Sequence, residues 1–131
     1  MKFQVRYYSR SGNTKALANA IAKGLGVKAI SIDEKDATIN EITDILFIGG
    51  ALYAYGLDNK LKSYIKELDA SKIKKAVVFS TSWISKHSID LLKTMLSKKG
   101  IIVADEYLYF KNMPSDEELK ITENTVKSLI D

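Results

Sequence analysis

The sequence has no cysteine, and only one histidine, one tryptophan and one proline in 131 residues. Without thiols there are no disulfides, cysteine-ligated zinc or iron–sulfur centres, thiol nucleophiles or cysteinyl cofactor links. A lone His87 rules out a multi-histidine metal site and leaves a Ser-His-Asp triad unsupported. No apolar stretch approaches the roughly 20 residues of a bilayer span. The opening Met1-Lys2-Phe3-Gln4-Val5-Arg6 runs straight into an alternating pattern with charges inside it, unlike a signal peptide. The expectation is a soluble, cytoplasmic chain whose chemistry comes from hydroxyls, charges, aromatics or a borrowed cofactor.

A chain of 131 residues reads as one domain, 1–131, able to bury about two thirds of its unfolded surface without covalent staples. Its net charge of +4 is unevenly spread: residues 1–30 carry six bases and no acid, while residues 115–131 carry five acids and two bases. The lysines are scattered at helix-surface spacing, not clustered among exposed aromatics, so no nucleic-acid partner is expected. Phosphate binding at one point accounts for the basic front end.

Short β-branched or aromatic runs alternate with amphipathic stretches, the pattern of βα units feeding a parallel sheet. Phe3 to Tyr8 reads as the first strand. Leu17, Ala18, Ile21, Ala22 and Leu25 recur at helical spacing, with Gly24 and Gly26 as the stop. Val27 to Ile32 is the second strand, and a weak helix is expected near Ala37 to Ile42. The all-apolar Ile45-Leu46-Phe47-Ile48 and Ala76-Val77-Val78-Phe79 suit central strands covered on both faces. The third strand ends at Gly49-Gly50, and Asp58 caps a helix through Leu61, Tyr64, Ile65 and Leu68. A helix with Ile89, Leu92 and Leu96 stops at Gly100, and Ile101 to Tyr109 forms the fifth strand. Pro114 and the capping box Ser115-x-x-Glu118 open a last helix running through Leu119, Val126 and Ile130. About five strands and five helices in alternation, joined by right-handed crossovers, give an α/β doubly wound three-layer sandwich with a parallel sheet of order 2-1-3-4-5.

In such a sheet ligands sit beyond the carboxyl ends of the strands, between the first and third. The loops meeting there, 9–14, 49–58 and 80–87, hold the unusual residues. Ser9-Arg10-Ser11-Gly12-Asn13-Thr14 places three hydroxyls and a glycine between a strand and a helix whose first turns lack acids. A phosphate monoester needs several donors converging from one side, and a helix N-terminus offers free N–H groups with partial positive charge. Gly12 permits close backbone approach, Ser9, Ser11 and Thr14 complete the cage, and Asn13 and Arg10 are accessories. The plainer alternative is that Ser11 or Asn13 simply caps the helix. Neither a Walker loop nor Gly-x-Gly-x-x-Gly occurs, so ATP and NAD lose support.

Ser-x-Ser-Gly-Asn-Thr after the first strand resembles the phosphate loop of the flavodoxin family, and the five-strand layout is similar to its short-chain members along the whole sequence. The resemblance implies FMN as cofactor. It lays Gly49-Gly50-Ala51-Leu52-Tyr53-Ala54-Tyr55-Gly56-Leu57-Asp58 along the isoalloxazine, with Ala51, Leu52, Tyr53, Ala54, Tyr55 and Gly56 against the cofactor. Tyr53 or Tyr55 is the stacking candidate, and Gly56 the glycine whose peptide turns toward N5 on reduction. Ser80, Thr81, Ser82 and Trp83 would border the ring edge, backbone N–H groups facing the pyrimidine carbonyls and Trp83 as the other wall. Ordinary core packing for Trp83, and loop packing for the tyrosines, are the alternatives. His87 reads as a surface helix residue.

The resemblance further implies an electron carrier cycling FMN between redox partner proteins, as a monomer or weak dimer. Enzymes of the same superfamily, similar to flavodoxin-like quinone reductases or protoporphyrinogen dehydrogenases, are the alternative, with a small organic acceptor or donor. A decayed site serving as an interaction module is a third possibility, opposed by the complete phosphate motif. Carrier flavodoxins are typically acidic around the flavin, whereas this chain is basic and Asp58 is the only carboxylate in the three loops. A less negative potential for full reduction is therefore expected.

Overall fold

The computed structural model describes residues 1–53, 56–82 and 85–130. Their main sheet comprises β1 (Phe3–Tyr7), β2 (Ala29–Ser31), β3 (Ile45–Gly50), β6 (Ala76–Thr81) and β7 (Val103–Phe110). All neighbours pair in parallel, in the order β2-β1-β3-β6-β7. Counting only these strands, this is the expected 2-1-3-4-5. Between β3 and β6 the chain forms a separate antiparallel pair, β4 (Leu52–Tyr53) with β5 (Gly56–Leu57), where a plain loop was expected.

Side-chain alternation divides the core in two. Ile45, Phe47, Val77 and Phe79 pack with α1 (Asn13–Leu25) and the Val126 turn that follows α4 (Asp116–Thr125). Leu46, Ile48, Ala76 and Val78 face the opposite way, toward α2 (Asn59–Glu67) and α3 (His87–Lys98). A period of two on each central strand therefore feeds two separate cores. Each fully buried side chain such as Phe47 or Phe79 contributes roughly 1.5–3 kcal/mol.

Local signals set several helix ends. Gly26 adopts φ 74° after α1, and its N–H bonds the carbonyls of Ala22 and Lys23. Ser115 and Glu118 form both arms of the capping box. Asp58 Oδ1 accepts the Lys60 N–H at 2.7 Å, capping α2, a type of contact that stabilises by about 1 kcal/mol.

The remaining differences from expectation have tertiary causes. Gly24 is no stop: it lies inside α1, and an added Cβ would meet the Glu123 carbonyl oxygen at 2.3 Å and Val126 Cγ1 at 2.5 Å. It is the close-approach point between α1 and the C-terminal segment. The helix expected near 37–42 is only a single 3-10 turn, Lys35–Ala37. So short a segment does not offset the cost of nucleation. Long-range bonds hold it instead, since Ala37 O accepts from Arg6 Nε at 2.8 Å and from the Tyr64 hydroxyl. The second and fifth strands begin later than expected because Val27 and Ile101 donate their N–H groups back to Ala22 and Leu96. The last α-helix ends at Thr125 and tightens to a 3-10 segment over Val126–Ile130. No helix among the described residues is long and apolar enough to cross a membrane.

Candidate functional site

The carboxyl ends of β1, β3 and β6 converge where the strand order reverses. After β1 the chain turns at Gly12, whose φ of 95° lies in the left-handed region. Gly12 is itself the N-cap of α1 and provides no side-chain cap, so neither Ser11 nor Asn13 plays the capping role. Ser9 Oγ accepts the Gly12 N–H at 3.0 Å and closes the turn. The first turn of α1 contains no acid, which leaves its partial positive charge uncompensated. Ser11 is exposed, Ser9, Gly12 and Asn13 are half-buried, and Thr14 is buried. Thr14 Oγ1 lies 2.7 Å from Thr81 Oγ1, linking this turn to the end of β6.

The strand β3 ends at the glycine pair, as expected, with both glycines inside it. A Cβ on Gly49 would enter the Phe79 ring at 2.3 Å, and one on Gly50 would meet Leu61 Cδ2 at 2.4 Å. These glycines let the sheet close on its neighbours. Ala51, Leu52 and Tyr53 are half-buried, and Tyr53 pairs with Gly56 across the small hairpin. Among the described residues, the nearest atom to a Cβ added on Gly56 is Lys62 Nζ at 3.7 Å. No described neighbour approaches closely enough to require glycine there. Ala54, Tyr55 and Trp83 lie outside the described residues.

Arg10, expected as a phosphate accessory, turns to the hairpin. Its N–H donates to the Tyr53 hydroxyl at 2.9 Å, its guanidinium lies 3.9 Å from the Tyr53 ring centroid, and its Nε and Nη2 both bond Asp58 Oδ2. Burial alone would raise the Asp58 carboxyl, but the Lys60 N–H and the Arg10 guanidinium outweigh it and hold the pKa below the usual value. Burial pushes the Tyr53 phenol up.

Of the third loop, Ser80 and Thr81 belong to β6 and their hydroxyls are taken, Ser80 by Ser88 Oγ at 2.6 Å and Thr81 by Thr14. Ser82 is buried and its Oγ has no partner among the described residues. Its carbonyl accepts the Tyr109 hydroxyl at 2.6 Å. His87 is exposed and opens α3. Sequence reading missed Tyr8, whose ring lies 5.5 Å from Lys60 Nζ, although its place directly after β1 could have flagged it. Tyr109 had no such signal, because the β6–β7 register shifts between Ala76 and Val78.

This arrangement offers helix N–H groups and hydroxyls at one end, and elsewhere a half-buried aromatic and a buried hydroxyl, that of Ser82, with no partner among the described residues. Several known folds share the architecture. A flavodoxin from the domain Archaea superposes with a TM-score of 0.84 at 24% identity, covering 98% of this chain and 96% of that one. Oxidised flavodoxin 1 from Bacillus cereus does so with a TM-score of 0.77 at 24% identity, covering 99% and 97%. The rubredoxin oxygen:oxidoreductase of Desulfovibrio gigas gives 0.75 at 19% identity over 98% of this chain, which spans 36% of that longer protein. No curated protein matches the sequence. The family model of the flavodoxin domain matches residues 4–107, most of the chain and all three loops, and the chain therefore belongs to the flavodoxin domain family.

Proposed function

We propose that the chain binds FMN and works as a flavodoxin-type electron carrier between redox partner proteins, as one cytoplasmic domain of residues 1–131. The observation that carries this reading is the uncapped N-terminus of α1: a left-handed Gly12 between Ser9, Ser11 and Thr14, with no acid in the first turn. That is the donor set a phosphate monoester needs. The residues also fit a polar ring, since the buried Ser82 hydroxyl has no partner among the described residues and a buried hydroxyl left so costs about 1–3 kcal/mol, which a hydrogen-bonding ring edge would offset.

In this reading the N–H groups of Asn13 and Thr14 and the hydroxyls of Ser9 and Ser11 bind the phosphate. Thr14 adds its proton when Thr81 donates within their shared bond. Tyr53 or Tyr55 is the stacking wall for the ring and Trp83 the other, with Ala51, Leu52, Ala54 and Gly56 as the remaining border on the hairpin side. A bound flavin supplies one- and two-electron transfer, and the protein's part is orientation and electrostatics.

The basic charge favours a second reading, an FMN-dependent oxidoreductase acting on a quinone or porphyrinogen-type substrate, because the sole carboxylate of the three loops is already bound by Arg10. Turnover of NAD(P)H with quinones and no added reductase would select it.

The deciding experiment is a titration of flavin-free protein with FMN and with riboflavin, in wild type and in Ser11→Ala, whose exposed side chain makes it a clean variant. Micromolar or tighter FMN binding, weaker riboflavin binding and a narrowed gap in the variant support the reading. Absence of FMN binding overturns it.

A further inference from the structure

We propose that Arg10 is a positioning residue that fastens the turn after β1 to the β4–β5 hairpin and neutralises Asp58. The inference rests on the flavin reading, which assigns phosphate to the first of these loops and ring to the second. One residue makes every link: the backbone N–H bonds the Tyr53 hydroxyl, the guanidinium covers the Tyr53 ring, and Nε and Nη2 bond Asp58. The carboxylate is fully engaged, because Oδ1 takes the Lys60 N–H while Oδ2 takes Arg10.

The chemistry is specific to arginine. A planar, delocalised guanidinium can stack on an aromatic face while its edge bonds a carboxylate, and a lysine ammonium cannot do both. The Asp58 side chain is 8% exposed, so its charge is poorly screened and acts on whatever the neighbouring loops hold. Left alone it would disfavour negative charge on a reduced ring; paired with Arg10 it presents no net charge. Arg10 thus joins two functions, holding the hairpin against the turn after β1 and neutralising the one carboxylate of the three loops.

Three variants separate these roles. Asp58→Asn keeps a good N-cap residue on α2, Arg10→Gln removes the cation, and Arg10→Lys keeps the charge without the stacked fork. In the FMN-bound protein, Arg10→Gln should lower the potential for full reduction, Asp58→Asn should raise it, and the double variant should return near wild type. Each single variant should weaken FMN binding about tenfold, the double no further, since contacting residues share one interaction. Arg10→Lys should weaken binding but hold the potential.

Unchanged potentials in both single variants, shifts of the same sign, or additive losses of binding would overturn the proposal. The clamp is also readable without flavin: the Asp58 carboxyl, followed by carbon NMR, should titrate higher in Arg10→Gln, and an unmoved titration overturns the pairing. A wild type that fails to bind FMN but shows that NMR shift would discard the flavin reading and keep the clamp.

Discussion

Thr14 and Thr81, 67 residues apart, share a 2.7 Å hydrogen bond between buried hydroxyls, and through it the turn after β1 is anchored to the end of a central strand. Thr14→Val preserves shape but leaves the Thr81 hydroxyl buried without a partner. We expect a loss of about 1–3 kcal/mol in urea unfolding, and less than twice that in Thr14→Val/Thr81→Val, where both partners become apolar. Equal stability of wild type and single variant would show that the bond contributes nothing.

Gly24 sits mid-helix, where replacement by alanine ordinarily gains close to 1 kcal/mol of helix propensity. Here the new methyl would press on the Glu123 carbonyl oxygen, a backbone atom that cannot swing aside. Overpacking of this kind costs typically 1–3 kcal/mol. Gly24→Ala should therefore lower the melting temperature, and a rise would mean that the C-terminal segment moves away freely.

Acid should weaken the Asp58 contacts in a defined window. Its folded pKa lies below the usual 3.8, so its contribution is full above that value and is lost as pH falls through the folded pKa. The advantage of wild type over Asp58→Asn in denaturant midpoint should be complete near neutrality and shrink below pH 3.8. A pH-independent advantage would refute an ionised pairing.

Gly56 separates folding from redox behaviour. With no close neighbour among the described residues, Gly56→Ala should leave stability unchanged or raise it slightly. If its peptide turns when the flavin is reduced, the same variant should shift the reduction potential. Destabilisation would point to a packing role, and an unchanged potential would remove Gly56 from the redox cycle.

The alternation of apolar and amphipathic segments, the Gly26 stop and the caps at Asp58 and Ser115 were legible because each depends on residues a few positions apart, and the order of the sheet followed from that alternation through right-handed crossovers. Periodicity and i to i+3 contacts are written along the chain. The turn at Gly12 was legible for the same reason, as hydroxyls and glycine crowd one strand-to-helix junction. What the tertiary structure decided involves partners distant in sequence: Arg10 with Asp58, 48 residues on, Thr14 with Thr81, and Arg6 turned inward to Ala37 where a helix was expected. A charged or polar side chain carries no period that reveals its partner. Local pattern therefore determined the scaffold and the turn at Gly12, while the packing of one loop on another decided that Arg10 faces Asp58 and Tyr53, because only the folded sheet brings those loops within hydrogen-bonding distance.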